Sequence, residues 1–224
     1  MKGLLRFFYR AYRYVFHGPV YIWLTKKVFF LRIFYKTRKC ESPVTFRMWF
    51  MQKVLGFNRR AYWPVHFTST ISGSSNNIYV GIDAAPGISP GCYIQAVGKI
   101  FIDDYAQIAP NVGIISANHF MLDVREHVRS EVRIGKYSRI GMGSIILPGV
   151  VLGDFTTVSA GSVVRDSFPD GFCVIGGNPA VMMTDYSSNE KIKAKFLRYQ
   201  NEYLYNGYIR SEKFEAFRKK NLNV

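Results

Sequence analysis

The sequence predicts a mainly β protein: a parallel β-helix with helical segments at both ends. An aliphatic residue returns every sixth position, at Ile102, Ile108, Ile114, Ile134, Ile140, Ile146, Leu152, Val158 and Val164. Gly or Ala often follows it, and a small residue comes four places later. This period fits neither the 3.6 of a helix nor strand alternation. It fits short strands that turn a corner every six residues, with the aliphatic side chain inward and the small one beside it. Three such strands close a triangular coil of about eighteen residues, and stacked coils share one core.

The expected organisation is a basic aromatic helical segment over 1–62, the repeat domain over 63–185, and a helical tail over 186–224. In the first segment Leu4, Leu5, Phe7, Phe8, Tyr12, Val15 and Phe16 recur at helical spacing, with Arg6, Arg10 and Arg13 between them. Gly18-Pro19 breaks the pattern, and Val20 to Tyr35 resumes it around Lys26, Lys27 and Arg32. No run approaches the ~18 uncharged apolar residues of a spanning helix. No apolar run is followed by a small-residue cleavage site either, so a secretory signal is not expected. Two readings stay open for residues 1–40: helices lying on an anionic membrane surface, or helices packed on the domain or a neighbouring subunit.

Within the repeat, Ile82, Ile88 and Ile94 extend the phase upstream until a two-residue slip near Gly98-Lys99. An interruption from 120 to 131, rich in charge, must loop outward, and loops on a rigid scaffold are frequent homes for function. Beyond Val164 the repeat decays, and Phe168-Pro169-Asp170-Gly171 reads as a turn. One more apolar strand begins at Cys173. Ser187 and Glu190 then form a capping-box pair, with Ile192, Phe196, Tyr199 and Tyr203 at helical spacing, so a helix or helical hairpin is expected to cap the coil end.

The formal charge of +15 is unevenly placed. Residues 1–62 carry fourteen Lys/Arg against Glu41, residues 63–185 seven against ten acids, and residues 186–224 nine against four. The excess lies on aromatic helices without a nucleic-acid-binding motif, which argues against a nucleic-acid partner. Cys40, Cys92 and Cys173 are odd in number and far apart, fitting neither a disulfide framework nor a zinc pattern. They read as packed small residues in a reducing cytoplasm, with residues 1–40 offering a peripheral attachment to the inner face of the plasma membrane.

The most specific motifs are Ile108-Ala-Pro-Asn-Val, Ser116-Ala-Asn-His, Ile140-Gly-Met-Gly-Ser-Ile-Ile-Leu-Pro-Gly-Val, Ser159-Ala-Gly-Ser-Val-Val and Gly177-Asn-Pro-Ala. Over about residues 72–184 the chain resembles the hexapeptide-repeat acyltransferases, the left-handed β-helix family that includes galactoside and surface-polysaccharide O-acetyltransferases. The resemblance implies that His119 is the catalytic base, and an imidazole titrating near neutrality suits removal of a proton from an acceptor hydroxyl. It also implies a homotrimer whose intersubunit groove holds acetyl-CoA as acyl donor, along Gly141, Met142, Gly143, Ser159, Ala160 and Gly161, with Asn178 and Pro179 near the adenine. Relatives place arginines after the Gly-x-Pro-Ala turn where this chain has Val181 and Thr184. The charge for the coenzyme phosphate therefore falls to Arg139, Lys136 or Arg165. Gln95, Asn118 and Asp123 are the candidate acceptor contacts. His17, His66 and His127 read as surface or packing residues.

The implied reaction is O-acetylation of a sugar hydroxyl on a bacterial surface polysaccharide or its lipid-linked precursor. The alternatives are N-acetylation of an amino-sugar nucleotide and a non-catalytic scaffold, against which the His119 motif speaks. No metal is expected, because a metal enzyme on this scaffold needs three converging histidines and none lies between His66 and His119.

Overall fold

In the computed structural model the described residues are 18, 23, 27, 32–38, 40–123, 125–196 and 204–224. The expected helices of residues 1–40 lie largely outside them, as do Tyr199 and Tyr203 of the expected C-terminal helix. Among the described residues no helix is long and apolar enough to cross a membrane.

The chain winds around a three-sided prism. The first coil holds β1 (Thr70–Gly73) and β2 (Ile78–Val80), and the second holds β3 (Tyr93–Ala96), β4 (Ile100–Ile102) and β5 (Gln107–Ile108). In the third, β6 (Gly113–Ile115) is followed by an outgoing hairpin of β7 (Ala117–His119) and β8 (His127–Arg129), then by β9 (Val132–Ile134) and β10 (Arg139–Ile140). The fourth holds β11 (Ile145–Ile146), β12 (Val151–Leu152) and β13 (Thr157–Val158). The last holds β14 (Val163–Val164) and β15 (Cys173–Gly177), with Phe168 bridging to Leu152 between them. Strand β16 (Ala180–Asp185) turns back antiparallel to β15. The faces are therefore β1-β3-β6-β11-β14, β2-β4-β9-β12 and β5-β10-β13-β15, all parallel.

The registers explain the sequence period. Ile94, Ile114, Ile146 and Val164 stack on the first face, Ile102, Ile134 and Leu152 on the second, and Ile108, Ile140, Val158 and Ile175 on the third. All are buried, and each such side chain contributes roughly 1.5–3 kcal/mol. The small residues four places on are buried at the corners. There Ser138 and Thr156 donate to the carbonyl of Gly153 at 3.1 and 2.7 Å, and Ser144 and Ser162 to that of Ser159 at 2.9 and 2.7 Å. A hydroxyl inside the prism thus satisfies a corner carbonyl that no strand reaches.

The expected phase fails in the first coil. Ile82 and Ile88 are only half-buried, while Val80, Ala84 and Ala85 fill the inward positions. The slip near Gly98 is real and has a steric cause: a Cβ there would lie 2.4 Å from the carbonyl oxygen of Ser116 and closer still to that of Ser130.

The corner between the second and third faces carries Tyr105, Tyr137, Phe155 and Phe172, each with positive φ. Left-handed backbone costs such residues about 1–2 kcal/mol. Their rings stack in a column with centroids 5.0, 4.7 and 4.8 Å apart, and aromatic pairs recover about 0.5–1.5 kcal/mol each beyond their burial.

Helices decorate both ends. Short α1 (Arg32–Lys36) and α2 (Phe46–Trp49), the latter continuing as a π-turn over Phe50–Val54, pack through Phe34, Phe46 and Trp49. Asp83 accepts from the backbone N–H of Ser42 and Glu41 at 3.0 and 3.2 Å, fastening this segment to the first coil. Burial pushes its carboxyl up to about 6, against the pull of those two N–H groups.

At the other end α3 (Glu190–Phe196) is capped by the Asn189 side chain, which accepts from the Ile192 N–H at 3.1 Å, in place of the expected Ser187 box. The tail is not purely helical. A hairpin, β17 (Tyr205–Asn206) with β18 (Ile209–Arg210), precedes α4 (Ser211–Asn221). Nor does α4 cap the last coil: it returns to the first, where buried Phe214 packs on Tyr62 and Tyr79, and Asn223 donates to the Asn76 carbonyl.

Two outcomes follow from this packing. A Cβ on Gly153 would strike the Pro169 carbonyl oxygen and approach the Gly171 nitrogen to 2.6 Å, whereas one on Gly149 would meet nothing within 4 Å. Gly153→Ala should therefore cost roughly 3 kcal/mol by forcing coils apart, and Gly149→Ala about 1 kcal/mol from its positive φ alone, as chemical denaturation of the two variants will report. Because folded Asp83 holds its proton more tightly than the unfolded chain, its charge opposes folding above pH ~6, and that penalty disappears as pH falls towards ~4. The melting temperature of the wild type relative to Asp83→Asn should rise on acidification through this window; a constant difference would contradict the assignment.

Candidate active site

The hairpin β7–β8 leaves the prism at the corner between the first and second faces, and its arms begin at Ala117, three residues before the expected loop. Its root is tightly bonded. Ser116 is fully buried, and its hydroxyl donates to the Gln95 carbonyl at 2.5 Å while accepting from the Gly98 N–H at 2.9 Å. Gln95 Oε1 accepts from the Ala117 N–H at 3.1 Å, and Ser130 N–H donates to the Ser116 carbonyl at 2.8 Å. Gln95, expected as an acceptor contact, is thus occupied in holding the hairpin to the coil beneath it.

On this arm His119 is exposed and pairs across the ladder with His127. The two imidazoles lie 4.6 Å apart at 46°. Sequence reasoning set His127 aside as an ordinary surface residue; only the antiparallel fold-back, invisible to a six-residue period, brings it against His119. Asn118 is exposed one residue before His119. Asp123 lies near the tip in a 2.7 Å bidentate pair with Arg125, which holds its carboxyl below the usual carboxylate range. Its charge is therefore already partnered. Phe120, Met121 and Leu122 expose an apolar tip, the last two by 89% and 83%.

The residues expected to hold the donor form a separate line along the corner between the third and first faces. Gly141 is pressed against the Ser159–Ala160 backbone, where a Cβ would come within 2.5 Å of the Ala160 nitrogen. Gly143 and Gly161 stand at the turn with φ of 69° and 70° and open space where a Cβ would project. Met142 and Ala160 are exposed between them, and Asn178 and Pro179 continue the line where β15 turns into β16. The Ser159 hydroxyl reaches the Met183 sulfur at 3.7 Å, so exposed Met183 joins this edge, a residue that sequence reasoning did not select. Side-chain-free corners beside exposed apolar atoms make a narrow open channel, which fits a thin, flexible chain.

The candidate cations are dispersed. Arg139 lies on the third face beside Gly141, lining a shallow 440 Å³ hollow with Gln107 and Thr157. Lys136 approaches Asp104 at 3.5 Å. Arg165 follows β14, on the same prism edge as the hairpin, and is paired with Asp166 at 3.2 Å. Within one chain the His119 hairpin and the glycine-lined edge flank opposite sides of the first face. A six-residue side spans at most about 20 Å. Among the described residues no group of three or more His, Cys, Asp and Glu is placed to hold a metal ion.

Residues 131–166 match the family model described as bacterial transferase hexapeptide (six repeats). The chain is 35% identical over 120 residues to the dTDP-4-amino-4,6-dideoxy-D-glucose acyltransferase of Escherichia coli, covering 48% of this chain and 62% of that one. It is 31% identical over 120 residues to WbbJ of Escherichia coli (strain K12), provisionally named a lipopolysaccharide biosynthesis O-acetyl transferase, covering 53% and 61%. The chain spans about half to three-fifths of the length of these curated relatives. A solved galactoside acetyltransferase in complex with coenzyme A superposes with a TM-score of 0.51 at 25% identity, over 59% of this chain and 65% of that one. Repeat, coil and likeness together make the chain similar to the hexapeptide-repeat, left-handed β-helix acetyltransferases.

Proposed function

We propose that the protein is an acetyl-CoA-dependent O-acetyltransferase acting on a sugar hydroxyl, of a surface polysaccharide or its lipid-linked precursor. The observation that carries this reading is His119, held exposed on a bonded two-strand arm of a rigid coil, with an open glycine-lined edge elsewhere on the same prism. The thioester supplies an activated acetyl carbonyl. His119 takes the proton from the acceptor hydroxyl as the C–O bond forms, and returns it to the sulfur as the C–S bond breaks. Gly143, Gly161 and the exposed Met142 and Met183 provide the channel for the pantetheine arm. Arg139 is the cation nearest that channel in sequence and on the prism, and the acceptor is met by Asn118 beside the histidine.

The separation of hairpin and channel within one chain favours a homotrimer, in which the hairpin of one subunit reaches the glycine edge of the next. Exposed Tyr93 and Ile145 on the face between them would be covered in such an assembly. A second reading is kept because of the Escherichia coli relative whose name specifies an amino sugar: transfer to the amine of a nucleotide sugar.

Thiol release from acetyl-CoA against sugars, lipid-linked oligosaccharides and amino-sugar nucleotides separates the two acceptors. His119→Ala should keep the fold and donor binding and lower kcat by about two to four orders of magnitude. His127→Ala should lose roughly tenfold, and His127→Phe, which retains a ring against His119, should recover most of that loss. Near-normal turnover in His119→Ala would refute the base assignment. Light scattering should give three chains per particle, and a monomer at micromolar concentration would defeat the shared-site arrangement.

A further inference from the structure

A second cavity lies where α1, α2 and the β17–β18 hairpin meet the first coil. Its volume is about 660 Å³. Arg32, Lys36, Lys53, Arg210 and Lys213 all line it, and among the described residues no carboxylate does. Glu212 pairs with Arg210 at 2.9 Å. The rings of Trp49, Tyr205 and Tyr208 form the apolar part of the wall.

The cavity is built rather than incidental. Gln52, fully buried behind it, donates to the Trp63 carbonyl at 2.8 Å and accepts from the Tyr208 hydroxyl at 2.7 Å, locking α2's continuation to the first coil and to the C-terminal hairpin. Lys53 stands on this frame with its ammonium 4.9 Å from the centre of the Tyr208 ring and bonded to the Arg59 and Ala61 carbonyls. Burial and the nearby Arg59 push its pKa down, so the ammonium gains from an anion brought beside it.

We infer that this cavity is a binding site for a phosphate-bearing group, a phosphoryl or diphosphoryl headgroup whose remainder lies against the aromatic wall. Five converging cations match the charge and the acceptor-rich oxygens of phosphate, which takes charge-assisted hydrogen bonds from both Lys and Arg. Trp and Tyr walls suit an apolar or ring-bearing remainder. This site shares no residue with the acetyl-transfer reading and does not rest on it.

The phosphate can belong to a soluble molecule or to a lipid headgroup, and the full-length chain distinguishes them. Calorimetry with pyrophosphate probes the first source, and flotation with vesicles of equimolar phosphatidylglycerol and phosphatidylcholine, against phosphatidylcholine alone, probes the second. Lys36 and Lys213 are exposed, so the Lys36→Gln/Lys213→Gln double variant keeps the fold. Lys219→Gln/Lys220→Gln, on the exposed face of α4, removes the same charge elsewhere. The cavity pair should weaken binding of pyrophosphate, of anionic vesicles, or of both by about tenfold or more, with the α4 pair close to wild type. Loss confined to vesicles identifies a lipid headgroup, and loss confined to pyrophosphate a soluble ligand. Equal effects of the two pairs, or no binding to either probe, would overturn the proposal.

Discussion

Everything in this molecule depends on backbone meeting backbone at the corners of the prism. Parallel strands on the faces must lie about 4.8 Å apart, so each corner has to stack on the next at the same spacing, where a turn would otherwise bulge. The chain meets this by two devices. At Gly135, Gly141 and Gly153 the next coil comes so close that a Cβ would lie 2.6 Å or less from its backbone. At the corners after the second and third faces, three residues beyond the inward aliphatic, a left-handed residue turns the chain, as Tyr105, Asn111, Tyr137, Gly143, Phe155 and Gly161 do. The glycines and the aliphatic column are therefore one constraint seen from two sides.

The same constraint decides where chemistry can sit. Inward positions are filled by the core, and corner glycines admit no side chain between coils, so a functional group must stand on an outward face or leave the prism altogether. The hairpin does the latter. It departs where Ser116 bonds both to Gln95 and Gly98 of the coil beneath and to Ser130 of the returning arm, which ties its base to the coil and leaves its tip, with Met121 and Leu122, outside the packing. A histidine two residues up each arm is then positioned by the scaffold, although it lies on an insertion.

How much of this was legible follows from the range of each interaction. The hexads from Ile102 to Val164 were readable because every repeat imposes the same local demand. The first coil was not, because Ala84 and Ala85 take the inward places beneath a lid formed by residues more than a hundred positions away, such as Asn206, which donates to the Val80 carbonyl at 3.1 Å. The aromatic column was hidden for a related reason: Tyr105 and Tyr137 are separated by the hairpin, so their spacing departs from that of Tyr137 and Phe155 although the rings stack alike. His119 announced itself through a local motif, whereas His127, its ring neighbour, is joined to it only by a long-range strand pairing.

The return of the tail to the first coil also accounts for the distribution of charge. The repeat domain is mildly acidic, and the described cations of α1, α2 and α4 meet at one end of the prism, whereas Lys191 and Lys193 of α3 lie at the other. Left to themselves α1, α2 and α4 would repel one another. They are held by neutral contacts instead: the Phe34, Phe46 and Trp49 cluster, the Phe214 and Phe217 rings on Tyr62, and the hydrogen bonds of Gln52. Apolar packing and buried polar bonds thus hold like charges together at a cost that exposed lysines, screened by water and salt, keep small. The result is a cluster of cations at the first coil, apart from the candidate chemistry in the third to fifth.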